Sequence, residues 1–80
     1  MRIPRDLSGN DLLKLLKKYG YQNTRQTGSH IRLTTQQNGE HHITIPNHSP
    51  IKTGTLSSIL SEVAIHLGRT KDELMQEMFG

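Results

Sequence analysis

The chain has 80 residues, of which 31% are hydrophobic, 21% charged and 4% aromatic. That length suits one small domain over 1–80 and excludes a two-domain enzyme, a nucleotide-fold dehydrogenase or a barrel. Ten Lys and Arg against seven Asp and Glu give a net charge of +3, which tilts toward a polyanionic partner or reflects a few surplus surface cations, and the absence of cysteine excludes a disulfide framework, a thiol nucleophile and cysteine-based metal sites.

The first element starts near Ser8, where Ser8-Gly9-Asn10-Asp11 resembles a capping box. Leu12, Leu15, Leu16 and Tyr19 follow at helical spacing, Leu13 widens the stripe, and Gly20 suits the left-handed residue past the end. Lys14, Lys17 and Lys18 on the other face form a solvated, dipole-matched surface or a phosphate contact. Tyr21–Gln26 reads as a weak, mostly polar strand, and Thr27-Gly28-Ser29 as a tight turn. His30–Thr35 is a better strand, because Ile31 and Leu33 alternate with His30, Arg32 and Thr34. Asn38-Gly39 signals a second hairpin. His41–Ile45 then alternates Ile43 and Ile45 with His42 and Thr44, and Pro46 is expected to end it.

Asn47–Lys52 reads as a loop. A second helix starts at Thr53 or Gly54, with Leu56, Ile59, Leu60, Val63 and Leu67 as its stripe and Gly68 as its stop. Thr70-Lys71-Asp72-Glu73 is another capping box, opening a short third helix whose apolar side is Leu74, Met75, Met78 and Phe79. The order is α-β-β-β-α with a short helix over 70–79 appended. It predicts an α+β fold: a three-stranded antiparallel sheet with both long helices on one face. Period-two alternation then leaves His30, Arg32, Thr34, His42 and Thr44 on the open face.

His30 follows a Gly-Ser turn and has Arg25 and Arg32 nearby in sequence. Alone it reads as an ordinary surface histidine. With the arginines it could also serve RNA cleavage, the imidazole taking a 2′-hydroxyl proton while cations stabilise the phosphoryl oxygens. His41, His42 and His48 invite a metal reading, but adjacent strand residues point to opposite faces and Glu40 is the only acid near them. No metal and no cofactor are expected. His48 is an ordinary loop residue, a second acid or base, or a phosphate contact. No apolar run approaches the roughly 20 residues of a membrane span. Met1-Arg2-Ile3-Pro4-Arg5 lacks the hydrophobic stretch of a signal peptide. A cytoplasmic protein without membrane association is expected.

Four features in order resemble the HicA (YcfA-like) toxins of bacterial HicA–HicB toxin–antitoxin systems. They are a lysine-rich helix ending at Tyr19-Gly20-Tyr21, then Arg25-Gln26-Thr27-Gly28-Ser29-His30, then Asn38-Gly39 before His42-Ile43-Thr44-Ile45-Pro46 with His48 beyond, and last Lys52-Thr53-Gly54-Thr55-Leu56. The resemblance covers a core of about 7–67. It implies a fold like the double-stranded-RNA-binding domain and an endoribonuclease toxin that cuts messenger RNA and arrests translation. It assigns the essential histidine to His30. Arg25, Ser29, Arg32, His48 and Lys52 are the expected RNA contacts. It also implies neutralisation by a HicB-like antitoxin, with DNA binding only through that partner. Thr27 stands where many relatives have a basic residue, and Arg32 and Leu33 where many have an aromatic. A non-catalytic RNA-binding module and a protein-interaction domain with an acidic partner are the rival readings.

Overall fold

Local chemistry sets the helix ends. In the computed structural model, which describes residues 3–80, Ser8 Oγ accepts from the Asp11 N–H and the Asp11 carboxylate accepts from the Ser8 N–H, both at 3.1 Å. These bonds start α1 (Gly9–Leu16) and hold the Asp11 carboxyl below its ordinary value. Met1 and Arg2 of the basic N-terminal stretch lie outside the described residues. After Leu16 the helix tightens into a 3-10 turn, Lys17–Tyr19, and stops at Gly20 with φ +82°. Thr70 and Glu73 form the same reciprocal pair at the start of α3 (Lys71–Phe79). Between them runs α2 (Thr53–Leu67), which ends at Gly68.

The strands β1 (Gln22–Thr27), β2 (His30–Thr35) and β3 (His41–Pro46) form one antiparallel sheet in the order β1-β2-β3. The fold is thus the expected α+β arrangement of the double-stranded-RNA-binding type, with a third helix after it. Its core is one cluster: Ile31, Leu33, Ile43 and Ile45 of the sheet against Leu12 and Leu16 of α1 and Leu56, Ile59, Leu60 and Val63 of α2. Leu74 and Met75 of α3 are buried in the same cluster. The terminal helix is therefore part of the core and not a loose appendage.

Four boundaries differ from the sequence reading, one of them the end of β1, which takes in Thr27 by pairing it with His30 and leaves only Gly28-Ser29 as the turn. β1 begins at Gln22, because Tyr21 leaves the strand to be buried in the core. β3 runs on through Pro46, which pairs in register with His30; β3 is an edge strand, where a missing donor is tolerated. The second hairpin turns at Asn38-Gly39 as expected, but pairing stops at Thr35↔His41, so Gln36–Glu40 all lie in the loop. That longer loop is held from α2. Asn38 Nδ2 donates to the His66 carbonyl at 2.8 Å, and His66 Nε2 donates to the carbonyls of Gln37 and Gly39 at 2.9 and 3.0 Å.

One irregularity decides where Arg25 points. Asn23 pairs with Leu33, yet Arg25 pairs with Arg32, so Thr24 is the extra residue of a β-bulge. Were Thr24 paired regularly with Arg32 instead, Arg25 would lie opposite Ile31 and face the helix layer. With the bulge, Arg25 shares the open face with Arg32.

Candidate active site

The open face presents His30, Arg32, Thr34, His42 and Thr44, as period-two alternation predicts, and all but half-buried Thr34 are exposed. Their surroundings separate them. His30 sits at the end of the face, where β2 begins after the two-residue turn Gly28-Ser29, with Gly28 at φ +56°. His42 lies opposite Thr34, four residues along β3 from the partner of His30, or roughly 13 Å away at strand spacing.

His30 lines a surface cavity with Thr44, Pro46, His48, Lys52 and Thr55. Three elements meet there: the start of β2, the end of β3 with the following loop, and the start of α2. The loop is fixed through its backbone. Asn47 N–H donates to the Ser29 carbonyl at 2.6 Å, Gly9 N–H to the His48 carbonyl at 3.0 Å, and Ile51 N–H to the Leu7 carbonyl at 2.7 Å, while Ile51 itself is buried. His48 is thereby tied to the first turn of α1, and its neighbour Asn47 to the turn that introduces His30. Gly9 is required at that seam. A Cβ on it would lie 2.5 Å from the Pro46 carbonyl oxygen and 2.9 Å from Asn47 Cα.

The cavity also receives the N-terminal end of α2. Lys52 is its N-cap, no side chain caps it, and no acid lies in its first turn, whereas α1 and α3 each carry a capping carboxylate. Unsatisfied N–H groups and the helix dipole favour an anion at such an end, and the Lys52 ammonium adds to it. A side chain at Gly54 would meet nothing within 4 Å, so the approach to that first turn is open.

The five histidines divide cleanly by what their ring nitrogens do. His66 Nε2 donates to the two carbonyls of the hairpin loop. His42 Nε2 donates to the Glu40 carboxylate at 2.8 Å, and Thr34 Oγ1 donates to His42 Nδ1 at 2.8 Å. That hydrogen bond from His42 holds the Glu40 carboxyl below its ordinary value. His41 turns to the helix side, where Tyr21 OH donates to its Nδ1 at 2.7 Å and His66 stacks on it at 4.4 Å. Burial pushes the Tyr21 phenol up to about 12, so it stays a donor across the physiological range. Only the rings of His30 and His48 make no hydrogen bond to a described residue. Among the described residues no three His, Asp or Glu side chains converge on a common point as a metal site requires.

The remaining sequence candidates fall into two places. Lys52 and His48 join His30 in the cavity. Arg25 and Arg32 lie side by side across β1 and β2, adjoining His30 on the open face but outside the cavity lining. Ser29 lies in the turn and contributes its carbonyl to the Asn47 latch. Like charges directly opposite each other on a sheet are unfavourable, and neither arginine has an acidic partner among the described residues. The lysines of the first helix belong elsewhere. Lys17 and Lys18 lie at the end of α1 away from Gly9, roughly 12 Å along its axis. Sequence reasoning missed Thr55 and Gly9. Thr55 carries no signal beyond its place in the first turn of α2. Gly9 hides inside a capping box that accounts for its neighbours without it.

Residues 9–65 match the family described as HicA toxin of bacterial toxin-antitoxin systems, which is more than half of the chain. The chain belongs to the HicA toxin family. The match runs from the glycine that seats the His48 loop to α2, so it takes in every residue of the cavity and both arginines, and it stops short of α3. No curated protein and no solved structure gives a significant match. Among the described residues no helix is long and apolar enough to cross a membrane.

Proposed function

We propose that this HicA-family toxin is a metal-independent endoribonuclease that cuts messenger RNA at the cavity around His30. The observation that carries the reading is the meeting of an unengaged imidazole, a lysine and an uncapped helix N-terminus in one cavity with no acidic side chain lining it among the described residues. A phosphodiester bound there would have its oxygens facing Lys52 and the first-turn N–H groups of α2, which stabilise the charge that builds up on phosphorus. His30 then takes the proton of the adjacent 2′-hydroxyl. General-base assistance of this kind is worth about 10²–10⁴ in rate. Arg25 and Arg32 hold the flanking backbone, which positions the strand without reading its bases. Such a surface favours unstructured RNA, whose backbone can be bent into the cavity.

The proposal extends to the partner expected of the family. A HicB-like antitoxin would cover the cavity and silence it, and DNA binding would come through that antitoxin. Induction of the chain in bacterial cells without an antitoxin should arrest growth, and His30→Ala, which removes an exposed side chain and no core contact, should relieve the arrest at equal protein level. Arrest that persists with His30→Ala would move the active centre elsewhere. RNA bound equally by both forms, with no cleavage and no arrest by either, would favour a non-catalytic RNA-binding module.

A further inference from the structure

We infer that His48 is the general acid of the reaction, the group that protonates the leaving 5′-oxygen. The inference rests on the ribonuclease reading above and adds a second catalytic residue to it. Cleavage without water as nucleophile needs two proton movements. The 2′-oxygen loses a proton to His30 and forms a bond to phosphorus. The bond from phosphorus to the 5′-oxygen breaks, and that oxygen must gain a proton. The products are a 2′,3′-cyclic phosphate and a free 5′-hydroxyl, with the proton count unchanged.

The cavity offers few donors for the second step. Lys52 lines it, but its ammonium is needed as a fixed cation facing the phosphoryl oxygens. The hydroxyls of Thr44 and Thr55 are very weak acids. An imidazolium is suited to the task near neutrality, and three of the five imidazoles are excluded by their hydrogen bonds and places. His66 clamps the hairpin loop, His41 faces the helix layer, and His42 is held between Glu40 and Thr34 at the far end of the face. His48 alone shares the cavity with His30, and its ring nitrogens have no other partner among the described residues. Its backbone is latched to Gly9 rather than left to the loop, so the ring is presented from a fixed point.

A substrate with sulfur in place of the 5′-bridging oxygen separates this role from any other. A thiolate leaves without being protonated, because a thiol has an ordinary value near 8.5. Ordinary RNA and the 5′-phosphorothiolate are cleaved in parallel by wild type, His30→Ala, His48→Ala and His48→Gln. Both His48 variants keep the backbone latch to Gly9, and their unfolding in urea checks that they remain folded. The expected result is a loss of about 10²–10⁴-fold on ordinary RNA for both His48 variants. On the sulfur substrate their loss shrinks to within about tenfold of wild type, whereas His30→Ala stays impaired on both. Gln matters because it can hydrogen-bond but cannot deliver a proton. Equal losses on the two substrates would make His48 a binding residue and overturn the assignment. So would undiminished cleavage of ordinary RNA by His48→Ala, while leaving the His30 reading intact. A wild-type protein that cleaves neither substrate would remove the reaction itself, and this inference with it.

Discussion

Replacing Gly9 by Ala should damage both stability and activity, although helix propensity argues the other way. At an unconstrained helical site the added methyl stabilises by about 0.5–1 kcal/mol, since Gly loses more backbone entropy on folding. Here the new Cβ would stand 2.5 Å from the Pro46 carbonyl oxygen and 2.9 Å from Asn47 Cα, where ordinary contact begins at 3.4 Å. Both obstacles are backbone, so no side chain can swing aside. Either α1 or the loop must retreat, which weakens the bond from the Gly9 N–H to the His48 carbonyl. Overpacking of this kind costs about 1–3 kcal/mol, and with both obstacles in the backbone the upper part of that range applies, so the net effect is a loss of up to about 2.5 kcal/mol. Urea unfolding measures that directly. RNA cleavage of the still-folded variant should drop at least about tenfold, because displacements near 1 Å at a catalytic group carry such penalties. An Ala variant as stable and active as the parent would show that the loop is not seated on the first turn of α1, and would refute the account of how His48 is placed.

Other perturbations follow from the same geometry. Deleting Thr24 removes the bulge but leaves Arg25 directly after Asn23 and still opposite Arg32, so RNA affinity should stay near that of the parent, whereas Arg25→Gln should weaken it, and each arginine lost should lower the slope of log affinity against log salt by about one. Leu74→Ala empties a fully buried site and should cost about 2–5 kcal/mol in urea unfolding, whereas a dispensable appendage would lose almost nothing. Burial above all, then the neighbouring His66, holds the His41 imidazole below its ordinary 6.5, outweighing the opposite pull of Glu62. The unfolded chain therefore binds more protons, and stability that is full above that value declines as pH falls below it. The urea midpoint should drop between pH 7 and 5.5, a range above the carboxylates, and His41→Gln should flatten the decline; an unchanged slope would refute it.

Most of the architecture was legible because its signals are local. The capping pairs Ser8–Asp11 and Thr70–Glu73 and the stops at Gly20 and Gly68 each depend on residues within a few positions, and all form as expected. Alternation in β2 and β3 identified the open face because one side of each strand is buried. β1 offered no such contrast. All its residues are exposed, and its one apolar neighbour, Tyr21, lies just outside it. The bulge at Thr24 was therefore invisible, although it is what brings Arg25 beside Arg32. The hairpin loop was read from Asn38-Gly39, but its length is set by His66 from across the chain. The candidate site shows the same division. His30, His48 and Lys52 stand out by residue type, yet their convergence depends on the Ser29–Asn47 and Gly9–His48 bonds between segments far apart in sequence.

The central claim is that the cavity around His30 cuts RNA. Its most direct test is to incubate the purified chain, free of antitoxin, with a long unstructured RNA in EDTA beside His30→Ala, and to sequence the new ends. The account predicts internal cuts by the wild type alone, leaving cyclic phosphate on one side and a 5′-hydroxyl on the other. Equal cutting by both proteins, or intact RNA with both, would contradict it.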